Sequence, residues 1–355
     1  MTDRLALLER LRAFRERHGE EHWPQESLEA LSNADVLRWT IPREYGGLAI
    51  EDAELQAGYV ELSEACLLTT FILTQRNGAI QRLASSDNES VKLRWLPRLC
   101  TDECFATVGI SHLTTSRQHW RRPPVMAELR EDCVVLQGEV PWVTGAAHAD
   151  VIVTGATCDD GRQLLVALPT NLPGVEIRPH AELLALTGSH TGPVRLNDVR
   201  VPATEIIAGP VERVMQRGKG GGTGSLTTSA LAVGHAAQAV RYLQAEAERR
   251  EDLRPIAETF ARELEAVRGD LLFTARSEQS PYTAESLRTR ANSLVLRATQ
   301  AMLAAAKGAG FVKGHPAERA VREAMFFLVW SCPQPVLHAA LQEFACVGDD
   351  DSLLG

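Results

Sequence analysis

The chain has 355 residues, 45% of them hydrophobic, which is enough for a substantial core and too much for a disordered polypeptide. Its 37 basic and 46 acidic residues leave a formal charge of −9, and no Lys/Arg-rich run supplies the electrostatic footprint of a nucleic-acid binder. No stretch approaches the roughly 20 apolar residues of a membrane span, and the charged start MTDRLALLERLR lacks the apolar centre of a signal peptide, so a cytoplasmic protein without a membrane partner is expected. Seven cysteines with no C-x-x-C pair read as reduced thiols.

From Leu5 to about Leu83 apolar residues recur at helical spacing: Leu5, Leu8, Leu11 and Phe14, then Leu28, Leu31 and Val36, then Leu55, Tyr59, Leu62 and Cys66, then Phe71 to Leu83. Ile41-Pro-Arg-Glu-Tyr-Gly-Gly-Leu breaks the series, and a further helix is predicted over Glu89–Leu99, carrying Trp95. Between about Phe105 and Pro202 the period changes from 3.6 to 2. Strands are predicted at Phe105–Ile110, Val125–Leu129, Cys133–Gln137, Val140–Val143, Val151–Val153, Leu164–Ala167, Val175–Arg178 and Gly192–Leu196. Helical spacing returns over Leu226–Leu243, Ile256–Val267, Ser286–Lys307, Pro316–Trp330 and Pro335–Cys346. The expectation is an α+β chain in three parts: an N-terminal helical domain over 1–103, a β-barrel or sandwich over 104–207, and a helical bundle over 208–355.

The stretch Val134–Thr157 is the focus of the β region. Trp142 and Thr144, at i and i+2 of an extended segment, share one face and could offer a stacking ring and a hydrogen-bonding hydroxyl to a flat ligand. The same pair also reads as a core tryptophan beside a turn threonine. Other patterns carry less. His18-Gly-Glu-Glu-His22 has two imidazoles at metal spacing but no third ligand in the sequence, Gln216-Arg-Gly-Lys-Gly-Gly-Gly-Thr-Gly-Ser follows no strand and fits no phosphate-loop spacing, and Gly188-Ser-His-Thr-Gly has its glycines at the wrong offsets for a hydrolase nucleophile. His112, His148 and His190 remain as polar groups of the β region, each as readily structural as functional.

Several stretches, in one order, resemble the acyl-CoA dehydrogenase family of flavoproteins. Ile41-Pro-Arg-Glu-Tyr-Gly-Gly resembles its P-x-x-Y/F-G-G turn, and Gly138-Glu-Val-Pro-Trp-Val-Thr-Gly-Ala-Ala-His-Ala-Asp its G-x-K-x-W-I-T-N-A-x-x-A-D segment. Leu186-Thr-Gly-Ser-His-Thr-Gly-Pro-Val-Arg-Leu-Asn-Asp-Val-Arg-Val-Pro is similar to its exit from the β domain, and Gly308-Ala-Gly-Phe through Val321-Arg-Glu-Ala to its G-G-x-G-Y/F…R…R-D-A end. The resemblance implies helices, a β domain and a four-helix bundle that forms a homodimer or homotetramer. It further implies FAD, a small-molecule substrate such as an acyl thioester, and compatibility with an electron-transfer partner.

Residue by residue, the resemblance puts Trp142 and Thr144 against the flavin ring, with Thr144 near N5, and Arg249 on the FAD pyrophosphate of a neighbouring subunit. The family's T-E-P-G-x-G-S-D falls on His112-Leu-Thr-Thr-Ser-Arg-Gln-His, which has none of its glycines, and the glutamine of Q-x-x-G-G-x-G falls on Ala304 with the first glycine on Lys307. The glutamate that removes the substrate's α-proton falls on Ser331, and a hydroxyl cannot act as that base without a partner to activate it. No Asp or Glu lies between Glu212 and Glu246 to replace it. The implied activity is thus a divergent FAD-dependent oxidoreductase of acyl-CoA dehydrogenase type; a flavin-dependent monooxygenase and a non-catalytic oligomeric member are the alternatives.

Overall fold

The computed structural model describes residues 2–18, 20–114, 123–216, 225–277 and 279–347. The chain opens with helices α1 (Thr2–His18), α2 (Gln25–Asn33), α3 (Asp52–Ala65), α4 (Leu67–Ala84) and α5 (Glu89–Cys100). The sheet region follows with β1 (Ala106–Gly109), the short helix α6 (Ser111–Thr114), β2 (Val125–Leu129), β3 (Cys133–Val143), β4 (Val151–Cys158), β5 (Gln163–Pro169), β6 (Val175–Ile177), β7 (Gly192–Pro202) and β8 (Ile206–Val211). It closes with α7 (Leu226–Ala247), α8 (Arg254–Arg276), α9 (Ala284–Gly310), α10 (Pro316–Val329) and α11 (Gln334–Phe344). The expected order of helices, strands and helices is the observed one. No described helix is long and apolar enough to cross a membrane.

The strands form one eight-stranded sheet in the order β6-β7-β3-β2-β4-β5-β8, with β1 beside β4 in parallel. Strand β4 is buried on both faces, so its apolar residues divide by parity: Val151 and Val153 enter one core cluster, Ile152 and Ala156 the other. The first cluster takes Ile80 and Leu83 of α4 and Leu96 and Leu99 of α5, and the second is built by the sheet's own residues, among them Val140, Val143, Val194 and Leu196.

Two differences from the sequence expectation have local causes. The predicted strands Cys133–Gln137 and Val140–Val143 are one strand, continuous through a register shift at Gly138. Gly138 has φ +135°, and a Cβ there would lie 2.0 Å from the Pro124 carbonyl oxygen, so the break in apolar pattern marks an irregular strand position rather than a strand end. The unpredicted strand β8 contains Gly209-Pro210, which reads as a turn; proline is tolerated there because β8 is the last strand on its side of the sheet.

The described chain divides into two compact units, residues 1–50 with 71–222 and residues 51–70 with 223–355. In the first, Trp95 Nε1 donates to the buried Glu205 carboxylate at 2.8 Å, tying α5 to the turn before β8, and Arg94 pairs with the same carboxylate. In the second, α7 packs on α3 through Gly234 at Val60, with Ser63 Oγ donating to the Leu231 carbonyl at 2.8 Å and Arg241 bridging to Glu64 at 2.6 Å. Buried Arg288 of α9 donates to the carbonyls of Phe327 at 3.3 Å and Trp330 at 3.1 Å, which closes the C-terminal end of α10.

Candidate active site

Strand β3 delivers Trp142 and Thr144 to different surroundings. The Trp142 ring is 42% exposed, while Thr144, one residue past the strand, is 2% exposed. Val143 pairs with Gly192 across the antiparallel β3–β7 ladder, and this register sets Thr144 beside Thr191. Their hydroxyls lie 2.9 Å apart, and Thr191 Oγ1 lies 2.8 Å from Ser189 Oγ. The Thr144 carbonyl accepts from Thr107 Oγ1 at 2.7 Å, and the Gly145 N–H donates to the Ser189 carbonyl at 2.9 Å.

The loop that carries Ser189 and Thr191 is unusual in backbone. Leu186 and His190 have φ of 62° and 46°, both in the left-handed region that residues with a Cβ rarely adopt. The α1–α2 connection holds it: the Gly188 N–H donates to the Glu20 carbonyl at 2.6 Å and the Leu186 N–H to the Glu20 carboxylate at 3.2 Å.

Above this loop four flat side chains form a column. Trp23 stacks on His148 with centroids 3.9 Å apart, His148 on His190 at 5.1 Å, and His190 on His180 at 4.3 Å. Burial, and then the neighbouring histidines His180, His148 and His22, push the His190 imidazole down to about 4. Burial, followed by His180, also lowers His148. The column borders a cavity of about 310 Å³ lined by Ala146, Ile177, Arg178, Pro179, His180 and His190. His180 and Trp23 were not singled out in the sequence; only the density of histidines on either side of the Leu186–Thr191 turn hinted at them.

His112 is buried on α6, and its Nε2 lies 2.8 Å from the Gly155 carbonyl oxygen. A carbonyl only accepts, so Nε2 carries the proton, and burial keeps the ring neutral by lowering its pKa. Residues 115–119 of the stretch matched to the family's glycine-rich loop, and residues 217–224 of the Gly-rich segment, lie outside the described residues.

The remaining site residues lie in the second unit. Arg249 is exposed just past the C-terminal end of α7 and makes no side-chain hydrogen bond or ion pair among the described residues, whereas neighbouring Arg250 donates to the Ala305 carbonyl at 2.7 Å. Gly308 is exposed on α9, where a Cβ would meet nothing within 4 Å. The preceding Lys307 kinks that helix with φ 56° and ψ −150°, a conformation suited to glycine. Ser331 is exposed in the turn between α10 and α11, with φ 46°.

A planar cofactor fits the β3 side of this arrangement. Trp142 supplies an exposed aromatic face, and the Thr144 hydroxyl, which has one hydrogen-bond partner among the described residues, keeps capacity for a second.

Residues 4–103 match the family model described as acyl-CoA dehydrogenase, N-terminal domain. Among curated proteins, the probable acyl-CoA dehydrogenase YngJ of Bacillus subtilis (strain 168) is 26% identical over 323 residues, covering 85% of this chain and 84% of its own. The glutaryl-CoA dehydrogenase of Desulfococcus multivorans is 26% identical over 201 residues, 54% of this chain and 51% of that protein. Among solved structures, an acyl-CoA dehydrogenase complexed with FAD from Bacillus anthracis superposes with a TM-score of 0.77 at 17% identity, covering 99% of this chain and 68% of that one. The dibenzothiophene monooxygenase TdsC from Paenibacillus sp. A11-2 gives 0.78 at 18% identity, covering 95% and 94%. Residues 4–103 thus match the N-terminal domain of the acyl-CoA dehydrogenase family, and over 85% of its length the chain is similar to a probable acyl-CoA dehydrogenase.

Proposed function

We propose that the chain is an FAD-dependent oxidoreductase of acyl-CoA dehydrogenase type, acting on an acyl thioester or a related small molecule. The exposed Trp142 ring two residues before Thr144 is the observation that carries this reading. Trp142 would stack on the flavin ring, Thr144 would hydrogen-bond its N5 edge, and Arg249, without a charge partner among the described residues, would hold the FAD pyrophosphate of a neighbouring subunit with its guanidinium fork. His112 and Gly308 sit in the stretches aligned with the family's cofactor contacts; His112 Nε2 is committed to Gly155, and its Nδ1, without a hydrogen-bond partner among the described residues, would be the ring atom left for the cofactor. When bound, FAD would accept a pair of electrons from the substrate.

On the family resemblance Ser331 would stand where the general base stands, and an exposed hydroxyl there cannot take an α-proton unaided. Helix α7 offers no replacement, because its one carboxylate, Glu246, lies in its last turn. This favours, as a second reading, flavin-dependent oxygen chemistry, which does not begin with removal of a substrate α-proton, on the fold shared with a dibenzothiophene monooxygenase.

The deciding experiment is an absorbance spectrum of the purified protein reconstituted with FAD, followed by anaerobic addition of acyl-CoA thioesters. Bound flavin that bleaches on addition supports the first reading. Bound flavin that stays oxidised, but after chemical reduction consumes oxygen with product formation on an added aromatic acceptor, supports the second. Failure to bind FAD overturns both.

A further inference from the structure

Thr191 stands in the middle of a chain of three buried hydroxyls, Thr144–Thr191–Ser189, whose members are 2%, 1% and 0% exposed. Among the described residues the two outer hydroxyls have no other hydrogen-bond partner. Each hydroxyl owns one proton and can accept another's, so three protons are shared between two links and one proton has to leave the chain. No described acceptor receives it at either end, and an unmet buried donor is costly; only the Thr144 end gains an acceptor on the flavin reading above, the N5 edge of the ring. With that acceptor in place the economical arrangement is directional: Ser189 donates to Thr191, Thr191 donates to Thr144, and the Thr144 proton is left for the ligand.

The heavy atoms of both ends are fixed independently of the hydroxyls. Thr107 holds the Thr144 carbonyl at 2.7 Å, the Gly145 N–H holds the Ser189 carbonyl at 2.9 Å, and the β3–β7 register sets the separation. A hydroxyl fed by two donors in line is also the stronger donor, because chained hydrogen bonds polarise one another.

Resting on the flavin reading above, we infer that Thr191 is a positioning residue that commits Thr144 to donate, so that the site favours a ligand atom with a free lone pair. The N5 edge of oxidised flavin is such an atom, whereas in the reduced ring that nitrogen carries a proton and is itself a donor. The hydroxyl chain therefore favours the oxidised cofactor over the reduced one. Ser189 acts one step further out, through Thr191.

The test is the midpoint potential of the FAD-reconstituted protein, measured by anaerobic reductive titration against a reference dye, for the wild type, Thr191→Val, Thr191→Ser and Ser189→Ala. Thr191→Val removes the donor to Thr144 without changing side-chain shape. It is expected to shift the ratio of reduced to oxidised cofactor affinity about threefold toward the reduced form, raising the potential. Thr191→Ser keeps the hydroxyl and should restore the wild-type value, and Ser189→Ala should move it in the same direction as Thr191→Val by less. Should Thr191→Val fail to fold, the Ser189→Ala and Thr191→Ser pair decides the matter. An unchanged or lowered potential in the variant that removes the hydroxyl overturns the inference while leaving the flavin reading intact. A wild-type protein that takes up no FAD sinks that reading itself, and this inference with it.

Discussion

His148 Nε2 and His190 Nδ1 lie 2.9 Å apart, a contact that holds only while one ring donates and the other accepts. Both rings have pKa values below the ordinary histidine value, His190 down to about 4, so the folded protein resists protons that the unfolded chain takes up near 6.5. Stability from this pair is complete above about pH 6.5 and is lost as the pH falls toward 4, where the unfolded state binds more protons than the folded one. Denaturant midpoints at pH 7.5, 5.5 and 4.5 should fall in the wild type and fall less in His190→Asn, since asparagine does not titrate and accepts the left-handed backbone at that position. Parallel pH curves for the two proteins would count against the account.

Lys307 should be more stable as glycine. Its φ of 56° with ψ −150° lies in a region that only glycine occupies readily, a strain of roughly 1–3 kcal/mol. Glycine costs about 0.5–1 kcal/mol in unfolded-chain entropy. Thr283 starts this helix with a capping box and the side chain of Lys307 is exposed, so little else is lost. Lys307→Gly is expected to gain about 1 kcal/mol in chemical denaturation, and Lys307→Ala, which keeps the Cβ, should not.

Gly234 should not tolerate alanine. In a helix the exchange gains about 1 kcal/mol in propensity, but here the new methyl would sit 2.2 Å from the Val60 carbonyl oxygen and 2.8 Å from Ser63 Cβ. Backbone cannot yield as a flexible side chain does, and overpacking of this kind costs roughly 1–3 kcal/mol. Gly234→Ala is predicted to lower stability by about 2 kcal/mol, read from the denaturant midpoint, with Gly269→Ala, whose Cβ would meet nothing within 4 Å, as the harmless control.

Trp142→Ala separates ligand binding from folding. The ring is 42% exposed, so its loss should alter stability by less than about 1 kcal/mol. A stacking partner for a bound ring is worth about 1 kcal/mol, which corresponds to a loss of FAD affinity of about fivefold by fluorescence titration. Equal FAD affinity in wild type and variant would remove Trp142 from the cofactor site.

Local periodicity was enough to place nearly every helix and strand, because the burial of one face imposes a repeat of 3.6 or 2 on the residues that supply it. The strand Val125–Leu129 and the helices of the C-terminal part are legible for that reason. Strand β8 is not, since Gly209-Pro210 signals a turn until β5 is there to pair with it.

What joins Thr144 to Thr191, 47 residues on, and His148 to His190, 42 residues on, is the strand register that sets Val143 opposite Gly192. Hydrogen bonding and stacking act over a few ångströms and are indifferent to distance along the chain. The sequence therefore determines which residues have donors, acceptors and flat rings to offer, and the tertiary structure alone decides which of them meet.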